Sequence, residues 1–212
     1  MTRILAVADE VADALYGDTL HRLRPDLVVA CGDLPFDYLE NLVSRLDKPL
    51  LYVPGNHDED LTPPDTRWAP LAYEYPIPGP LGCVNIDGRV VEEAGLRIAG
   101  LGGSLRYREG PNQYTEAQMR RRALSLEIRL RAGKVVRARG LDILLTHSPP
   151  LGFNDGEDAP HRGFAALRRL VAKVSPKLLI HGHVHTHGRH QPDGRLDATT
   201  IVNAIPYRLL EV

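Results

Sequence analysis

Residues 50–58 read LLYVPGNHD, an apolar run that ends in Gly55, Asn56, His57 and Asp58. A short, continuously apolar run is typical of a strand that is buried on both faces of a sheet, and the Pro-Gly pair after it predicts a turn. The polar residues therefore lie just beyond the carboxyl end of a buried strand. In open α/β sheets this edge is where ligands bind.

Other apolar runs of the chain end in the same way, each in a carboxylate or a histidine. They are ILAVAD, which ends in Asp9; LVVACGD, which ends in Asp33; LDILLTH, which ends in His147; and PKLLIHGHVH, which ends in His183 and His185. An aspartate after a strand caps the next helix more often than it binds a metal, so no single strand end is decisive. The five ends taken together predict that these side chains meet at one edge of a sheet.

The order of the predicted elements indicates an α/β fold. Apolar strands alternate with helical patterns in the first third and near the end of the chain, and short strands separated by Asp-Gly and Ala-Gly turns lie between. The predicted strands cover residues 3–8, 26–31, 49–53, 84–86, 89–91, 96–101, 141–147 and 176–183, with two more near the end of the sequence. The predicted helices cover 11–24, 36–46, about 163–174, and a segment that Thr115 and Gln118 open with a capping box. This pattern predicts one domain, residues 1–212, in which two sheets pack together with helices outside.

Composition narrows the classes of function. Of the 212 residues 43% are hydrophobic and 25% are charged, and the net charge is −1. These values are typical of a soluble globular protein and favour neither a nucleic-acid partner nor a membrane surface. The basic run 119–140 has apolar residues at helical spacing and no aromatic residues to stack on bases, so it predicts the solvated face of a helix. We expect a cytoplasmic protein with no signal peptide or membrane span, in which Cys31 and Cys83 are free thiols.

The side chains at the strand ends have the chemistry of a metal site. Asp58 aside, they comprise two aspartates, one asparagine and four histidines, a mixture that suits Mn²⁺, Fe or Zn²⁺ and suits Ca²⁺ poorly. The set is too large for one tetrahedral ion, whereas two ions that share a bridging carboxylate would use it. Gly182 lets the backbone turn so that His183 and His185 can reach neighbouring ions, and His181 is expected to pack behind them. His187 and His190 follow in a polar stretch and are expected to be exposed.

The order of these motifs resembles that of the calcineurin-like metallophosphoesterases and extends over nearly the whole chain. The order is Asp9, Gly32-Asp33, Gly55-Asn56-His57-Asp58, His147 and Gly182-His183-Val184-His185. The segments CGDLPFDYLE, GLGGSLRY, THSPPLGFNDGED and HRGFAAL resemble the bacterial predicted phosphoesterases related to cyclic-nucleotide phosphodiesterases. The resemblance implies an α/β fold, a four-layer α/β/β/α sandwich of two mixed sheets flanked by helices, with a two-metal centre at the strand ends.

The resemblance also implies a role for each residue. Asp33 would bridge the two ions; Asn56, His147 and His183 would complete the shell of one ion, and Asp9 and His185 would serve the other. His57 would be the catalytic acid, and Asp58 would orient it. The implied reaction is hydrolysis of a phosphodiester or phosphomonoester by attack of a metal-bound hydroxide. Mn²⁺ is the expected ion, with Fe or Zn²⁺ as alternatives.

The first motif departs from the family pattern. The family has Asp-x-His, whereas this chain has Asp9, Glu10 and Val11, and valine cannot bind a metal ion. In a strand that continued, Glu10 would point to the opposite face, so register alone does not make it a substitute. Either a water fills the gap and two ions bind with unequal affinities, or a single ion binds. We expect two ions of unequal affinity.

Two loops are candidates for contacting a small phosphoester substrate. The loop after the middle strands carries Arg106 and Tyr107, and the loop after His147 carries His161. The alternative that the first loop folds on its own side chains is about equally consistent with the sequence, and for His161 the sequence favours a plain loop histidine.

Two other functions remain to be compared with a phosphoesterase. The loss of the motif histidine at Val11 is consistent with a catalytically weakened binding module of the same fold. A single-metal His-rich barrel such as a cupin would explain HGHVHTH but leaves GNHD and the strand–helix alternation unexplained. The sequence leaves open the substrate, the oligomeric state and the role of the proline-rich segment 61–80, for which it predicts irregular structure.

Overall fold

The computed structural model describes residues 1–61, 79–137, 140–185 and 191–212, with side chains for all of these except 133–137. Its strands are β1 Arg3–Val7, β2 Leu27–Ala30, β3 Leu50–Tyr52, β4 Cys83–Asn85, β5 Val90–Glu93, β6 Leu96–Leu101, β7 Ser104–Leu105, β8 Gln113–Tyr114, β9 Ile143–Thr146, β10 Leu178–His181, β11 Gly194–Leu196, β12 Thr199–Asn203 and β13 Tyr207–Glu211. Its helices are α1 Thr19–Leu23, α2 Phe36–Leu46, α3 Glu116–Arg137 and α4 Ala165–Val174, with a short 3-10 helix over Asp13–Tyr16.

Parallel strands form the centre of two large sheets. In the first sheet the strand order is β13-β1-β2-β3-β4, and β13 runs antiparallel to β1. In the second sheet the order is β11-β12-β10-β9-β6-β5, with four parallel strands between antiparallel edge strands. Because the central strands of each sheet are parallel, their carboxyl ends lie along one edge.

Apolar packing arranges the sheets and helices in four layers. A cluster that includes Ile4, Val29 and Ile98 fills the space between the two sheets. A second cluster packs the outer face of the first sheet on α1 and α2, and a third packs the outer face of the second sheet on α3 and α4. This arrangement confirms the predicted α/β/β/α sandwich of two mixed sheets.

The predicted start of α3 is confirmed in atomic detail. The Gln118 backbone N–H donates to Thr115 Oγ1 at 3.2 Å, and the Thr115 backbone N–H donates to Gln118 Oε1 at 2.8 Å. Where the side chains are described, Met119, Leu126 and other apolar residues of the helix are buried while Arg120 and Arg121 are exposed, so this part of the basic run has a solvated helix face as predicted. The predicted free thiols are also found, Cys31 buried and Cys83 partly buried.

Three predictions about local structure need correction or lie outside the described residues. A single helix over residues 11–24 is wrong, because the extended backbone of Gly17 (φ −97°, ψ −164°) separates the 3-10 helix from α1. The two final strands exist, but they belong to different sheets, and β11 is an additional short partner of β12. The predictions for residues 62–78 and for His187 and His190 fall outside the described part of the chain. Within that part, no helix combines the length and the apolar character that a membrane crossing requires.

Candidate metal centre

Side chains from both sheets converge where the parallel strands end. Ligand atoms of Asp9, Asp33, His147 and His183 all lie within 4.8 Å of one another. Opposite ligands of one octahedral ion with bonds of about 2.1 Å are about 4.2 Å apart, so the 4.8 Å limit is slightly wider than one ion's coordination shell. Asn56 joins them, since its Oδ1 lies 3.1 Å from His147 Nε2. The structure therefore brings together residues that the sequence analysis assigned to two neighbouring ions.

Unusual backbone conformations place these ligands. Asp9, Asp33 and His183 all have left-handed φ values, of 58°, 56° and 67°. Such conformations are strained for residues other than glycine, and they cluster at functional sites. The turn at each strand end redirects a side chain that regular strand geometry would send elsewhere.

Two motif glycines leave room for the ligands. A Cβ on Gly182 would lie 2.2 Å from Asp9 Oδ2, and one on Gly55 would lie 2.0 Å from Asp33 Oδ1. Both positions therefore require glycine because a ligand carboxylate occupies the space of the missing side chain. This explains why glycine precedes the polar residues of GNHD and GHVH.

Asp58 holds the backbone around the ligands. Its Oδ2 accepts hydrogen bonds from the backbone N–H of Gly55 at 2.7 Å and of Asp33 at 3.0 Å. The His57 backbone N–H in turn donates to Asp33 Oδ1 at 2.8 Å. Burial raises the pKa of Asp58, and its hydrogen bonds from these backbone groups oppose that shift. Asp58 thus ties the second and third strand ends together, while its orientation of the His57 ring stays a prediction.

The hydrogen bonds of the buried histidines leave one ring nitrogen of each for a metal. His147 Nδ1 lies 2.7 Å from the Cys31 carbonyl oxygen, so this nitrogen donates and Nε2 is left to face the cluster. His183 Nε2 lies 2.7 Å from the Pro160 carbonyl oxygen, which leaves Nδ1 free. Hydrogen bonds of this kind orient metal-binding histidines and select their tautomer.

The donor set fits a divalent cation. His147 Nε2 faces Asn56 Oδ1 at 3.1 Å and Asp33 Oδ2 at 3.4 Å, so a nitrogen lone pair and two oxygen acceptors converge. Positive charge between them is required for stability, and either a proton or a metal ion can supply it. Imidazole, amide and carboxylate donors in this combination suit Mn²⁺, Fe or Zn²⁺.

The pKa values of the ion-free protein show how strongly these groups interact. Burial raises the pKa of Asp9 to about 6 despite the opposing charge of His147. Burial also disfavours the charged forms of Asp33 and His147, but the attraction between the two groups outweighs it. As a result the pKa of Asp33 is lowered to about 2 and that of His147 is raised to about 9. Burial lowers the pKa of His183 to about 3, so this ring is neutral and able to bind a cation at pH 7.

Comparison with known proteins agrees with this geometry. A family model described as "Calcineurin-like phosphoesterase" matches residues 3–187. The chain belongs to the calcineurin-like phosphoesterase family. An uncharacterized protein of Haemophilus influenzae is 27% identical over 182 residues, covering 74% of this chain and 72% of that protein. Human metallophosphoesterase domain-containing protein 1 is 38% identical over 68 residues, which cover 31% of this chain and 20% of that protein.

Solved structures share the metallophosphoesterase fold. The crystal structure of TT1561 of Thermus thermophilus has a TM-score of 0.59 and 20% sequence identity, covering 96% of this chain and 88% of that one. Another crystal structure has a TM-score of 0.60 at 18% identity, covering 96% of this chain and 90% of that one. At these identities the likeness concerns the fold alone.

The first motif of this calcineurin-like phosphoesterase is shaped by a turn that the sequence analysis did not foresee. Strand β1 ends at Val7, and the backbone N–H of Glu10 donates to the Ala8 carbonyl at 2.6 Å. The register argument that placed Glu10 on the opposite face therefore does not apply. Glu10 Oε1 instead accepts a hydrogen bond from His185 Nδ1 at 2.8 Å, and Val11 is 38% exposed.

The loop that follows β7 reaches the metal cluster. Tyr107 Oη accepts a hydrogen bond from Asn56 Nδ2 at 3.4 Å, which places this predicted substrate residue beside a ligand. Arg106 donates to the Gln113 carbonyl and to Gln118 Oε1, and its binding of substrate stays a prediction.

Arg108 is a site residue that the sequence analysis missed. Its Nη2 lies 3.4 Å from His57 Nδ1, and its guanidinium lies 5.4 Å from the Tyr107 ring centre. The RYR sequence places an arginine on each side of Tyr107, and only the conformation of the loop shows which one meets His57.

Two further histidines lie beside the cluster. The His161 ring is 5.6 Å from the His183 ring, and its Nδ1 donates to Asp158 Oδ2 at 2.7 Å. His161 is therefore at the rim of the site, where substrate binding remains a prediction. His181 is fully buried, with Nδ1 donating to the Gly182 carbonyl at 2.9 Å and burial lowering its pKa to about 4. Among the described residues, His181 Nε2 has no hydrogen-bond partner.

Proposed function

We propose that this protein is a metal-dependent phosphoesterase that hydrolyses a small phosphodiester or phosphomonoester. The observation that carries the proposal is an exposed His57 directly beside the ligand Asn56 and hydrogen-bonded through its backbone to Asp33. A scaffold that only binds a partner has no need for an exposed acid at the edge of a metal cluster. Membership of the calcineurin-like phosphoesterase family supports the same reaction class.

A cleft beside the cluster has room for a small substrate. It has a volume of about 390 Å³ and is lined by Asp33, Leu34, Pro35, Phe36, His57, Asp58 and Glu59. Sites for small molecules typically have about 300–1,000 Å³ and combine apolar walls with a few polar groups. A phosphoryl group that reaches Asp33 would therefore have its ester group against the apolar wall.

The proposed cofactor is a pair of divalent ions, with Mn²⁺ as the expected metal and Fe or Zn²⁺ as alternatives. When bound, such ions lower the pKa of a water and neutralise charge on phosphoryl oxygens. The chain would hold them through Asp33 with Asn56, His147 and His183, and through Asp9 with His185. The oxygen and nitrogen donors of this set support that choice.

The remaining steps depend on residues of the chain. His57 would hold a proton at the edge of the cleft and deliver it to the departing ester oxygen. General acid catalysis of this kind typically raises the rate about 10²–10⁴-fold. The Asp33 hydrogen bond to the His57 backbone holds this residue next to the ligand set. Arg108 lies beside the His57 ring and is placed to bind a phosphoryl oxygen, because arginine pairs well with phosphate.

Hydrolysis of bis-p-nitrophenyl phosphate and p-nitrophenyl phosphate with Mn²⁺ tests the proposal. We expect turnover in the native chain and loss of turnover and of Mn²⁺ binding in Asp33→Asn. Asp47→Asn is a matched control, because Asp47 also has a left-handed φ, of 50° against 56° for Asp33, but is exposed at the end of α2. Equal turnover in Asp33→Asn and the native chain would refute the proposed mechanism.

The same experiment tests the alternative of a weakened binding module. The observation that favours this alternative is Val11, which replaces the family's motif histidine with a side chain that cannot bind a metal. Under that alternative, Mn²⁺ binds to the native chain but neither substrate is hydrolysed above the rate of Asp33→Asn.

A further inference from the structure

We infer that Glu10, together with Asp9 and His185, binds a second divalent cation, and that Glu10 replaces the ligand missing at Val11. The inference rests on the proposed function, because it concerns the second ion of the proposed metal pair. It differs from the family pattern in naming a carboxylate at the second motif position as a ligand. The argument comes from the backbone turn at Asp9 and from the spacing of the donor atoms.

The turn at the end of β1 brings Glu10 to the site. Regular strand geometry ends at Val7, and Asp9 takes a left-handed φ of 58°. The backbone N–H of Glu10 bonds to the Ala8 carbonyl at 2.6 Å, which tightens the turn. Alternation of side chains no longer applies past this point, so neighbouring residues Asp9 and Glu10 can serve the same centre.

The distance between Glu10 and His185 is that of two adjacent ligands on one ion. Glu10 Oε1 and His185 Nδ1 are 2.8 Å apart. Two ligands at right angles with bonds of about 2.0–2.1 Å are separated by about 2.9 Å. The ion-free contact therefore places both atoms where a cation can bind them after losing the shared proton.

Asp9 connects this pair to the first metal position. Its Oδ2 accepts a hydrogen bond from the His183 backbone N–H at 2.8 Å, and Gly182 packs directly against the same oxygen. Asp9 is also a member of the group whose ligand atoms lie within 4.8 Å of one another. The carboxylate thus belongs to the first cluster and is bonded to the segment that carries His185, two residues after His183.

The contact between Glu10 and His185 contributes little to the stability of the fold. The Glu10 and His185 side chains are 48% and 37% exposed. Exposed ion pairs typically contribute little to the free energy of unfolding. Glu10 also adds a carboxylate next to Asp9, a concentration of negative charge that a cation would relieve. The same exposure means that substitutions of Glu10 should leave the fold intact, which circular dichroism can verify.

The test is Mn²⁺ binding, measured by isothermal titration and by metal analysis of the desalted full chain. We expect two ions per native chain, and in Glu10→Gln one ion with unchanged affinity and a second that is lost or weakened at least about tenfold. Glutamine can still accept the hydrogen bond from His185, so this variant separates metal binding from mere positioning of His185. Glu211→Gln is the control, because Glu211 is an exposed acid paired with Arg3 at 3.7 Å on β13, away from the strand ends.

A second variant provides an independent check. If Glu10 and His185 bind the same ion, His185→Gln weakens the same second ion that Glu10→Gln weakens and leaves the affinity of the first ion unchanged. Two ions of native affinity in Glu10→Gln, a single ion in the native chain, or an effect of His185→Gln confined to the first ion would each overturn the inference. In each of these three cases the proposed function still holds if the native chain turns over substrate and Asp33→Asn does not. A native chain that neither binds Mn²⁺ nor turns over substrate would reject both the inference and the proposed function.

Discussion

Replacing Gly182 by alanine should damage the metal site more than the fold. The Cβ of Gly182→Ala would lie 2.2 Å from Asp9 Oδ2 and 2.7 Å from Ala8 Cβ. Ordinary contacts begin at 3.4 Å, so the carboxylate or the backbone must move by more than an ångström. The oxygen in question also accepts the 2.8 Å hydrogen bond from His183, and the displacement breaks this bond.

The size of the effect follows from the size of the displacement. Misplacing a catalytic group by about 1 Å can cost about a hundredfold in rate, and disturbing the groups that orient metal ligands typically costs about 10–100-fold in metal affinity. We therefore expect the dissociation constant for Mn²⁺ to rise by about a hundredfold, which corresponds to about 2.7 kcal/mol. Overpacking typically lowers the free energy of unfolding by about 1–3 kcal/mol, and in a chain of this length each kcal/mol lowers Tm by about 2–4 °C. The variant should remain folded at 25 °C.

Titration calorimetry with Mn²⁺ and thermal unfolding of the ion-free protein measure the two effects. Gly140→Ala is the matched control, because a Cβ at Gly140 would have no heavy atom within 4 Å. We expect Gly140→Ala to bind Mn²⁺ like the native chain. A folded Gly182→Ala protein with native Mn²⁺ affinity would refute the reasoning that the motif glycine exists to accommodate Asp9.

Three further predictions concern proton transfer, substrate binding and pH. His57→Ala should still bind Mn²⁺, but its turnover of a substrate with a poor leaving group should fall about 10²–10⁴-fold. Unchanged turnover in that kinetic assay would remove His57 from the mechanism. Arg108→Ala should lower kcat/KM about tenfold or more, because the substrate loses a charged hydrogen bond. Arg106→Ala should have a smaller effect, because the Arg106 guanidinium binds the Gln113 carbonyl. Equal effects of the two substitutions would contradict the assignment of Arg108 to substrate binding. Burial lowers the pKa of His181 to about 4, so the unfolded chain takes up a proton first as the pH falls below its own pKa of about 6.5. The free energy of unfolding of the ion-free protein should therefore decrease as the pH falls from 6.5 towards 4, by about 2 kcal/mol at pH 5 for this group. Urea unfolding at pH 7 and pH 5 should show a decrease that is smaller by about this amount in His181→Asn, where His183 with its lowered pKa still contributes its own part, and an equal decrease in both proteins would contradict the prediction.

The sequence was sufficient to predict which side chains meet at the strand ends because its signals are local. Continuously apolar runs mark buried strands, and parallel strands send their carboxyl ends to one edge. Asp33 and His147 each follow such a run directly, and the structure brings their side chains to 3.4 Å. The capping box at Thr115 is equally local, and both of its hydrogen bonds form.

Other features depended on backbone conformations that the residue pattern does not encode. Gly17 interrupts a helical periodicity that otherwise continues from Val11 to Arg24. The choice between Arg106 and Arg108 depends on how their loop folds on Gln113, whose side-chain oxygen accepts hydrogen bonds from the backbone of Tyr107 and Arg108. No periodicity predicts such contacts.

The departure at Val11 shows why a motif should be interpreted together with its backbone. An Asp-x-His pattern assumes that residues two positions apart share a face, which holds in a regular strand. Here the left-handed turn at Asp9 and the bond from Glu10 to Ala8 end that regularity, and the residue that approaches His185 is one position beyond Asp9 rather than two. A ligand missing from the aligned position is therefore insufficient reason to infer a lost ion, because the same turn that positions Asp9 brings another carboxylate within 2.8 Å of His185.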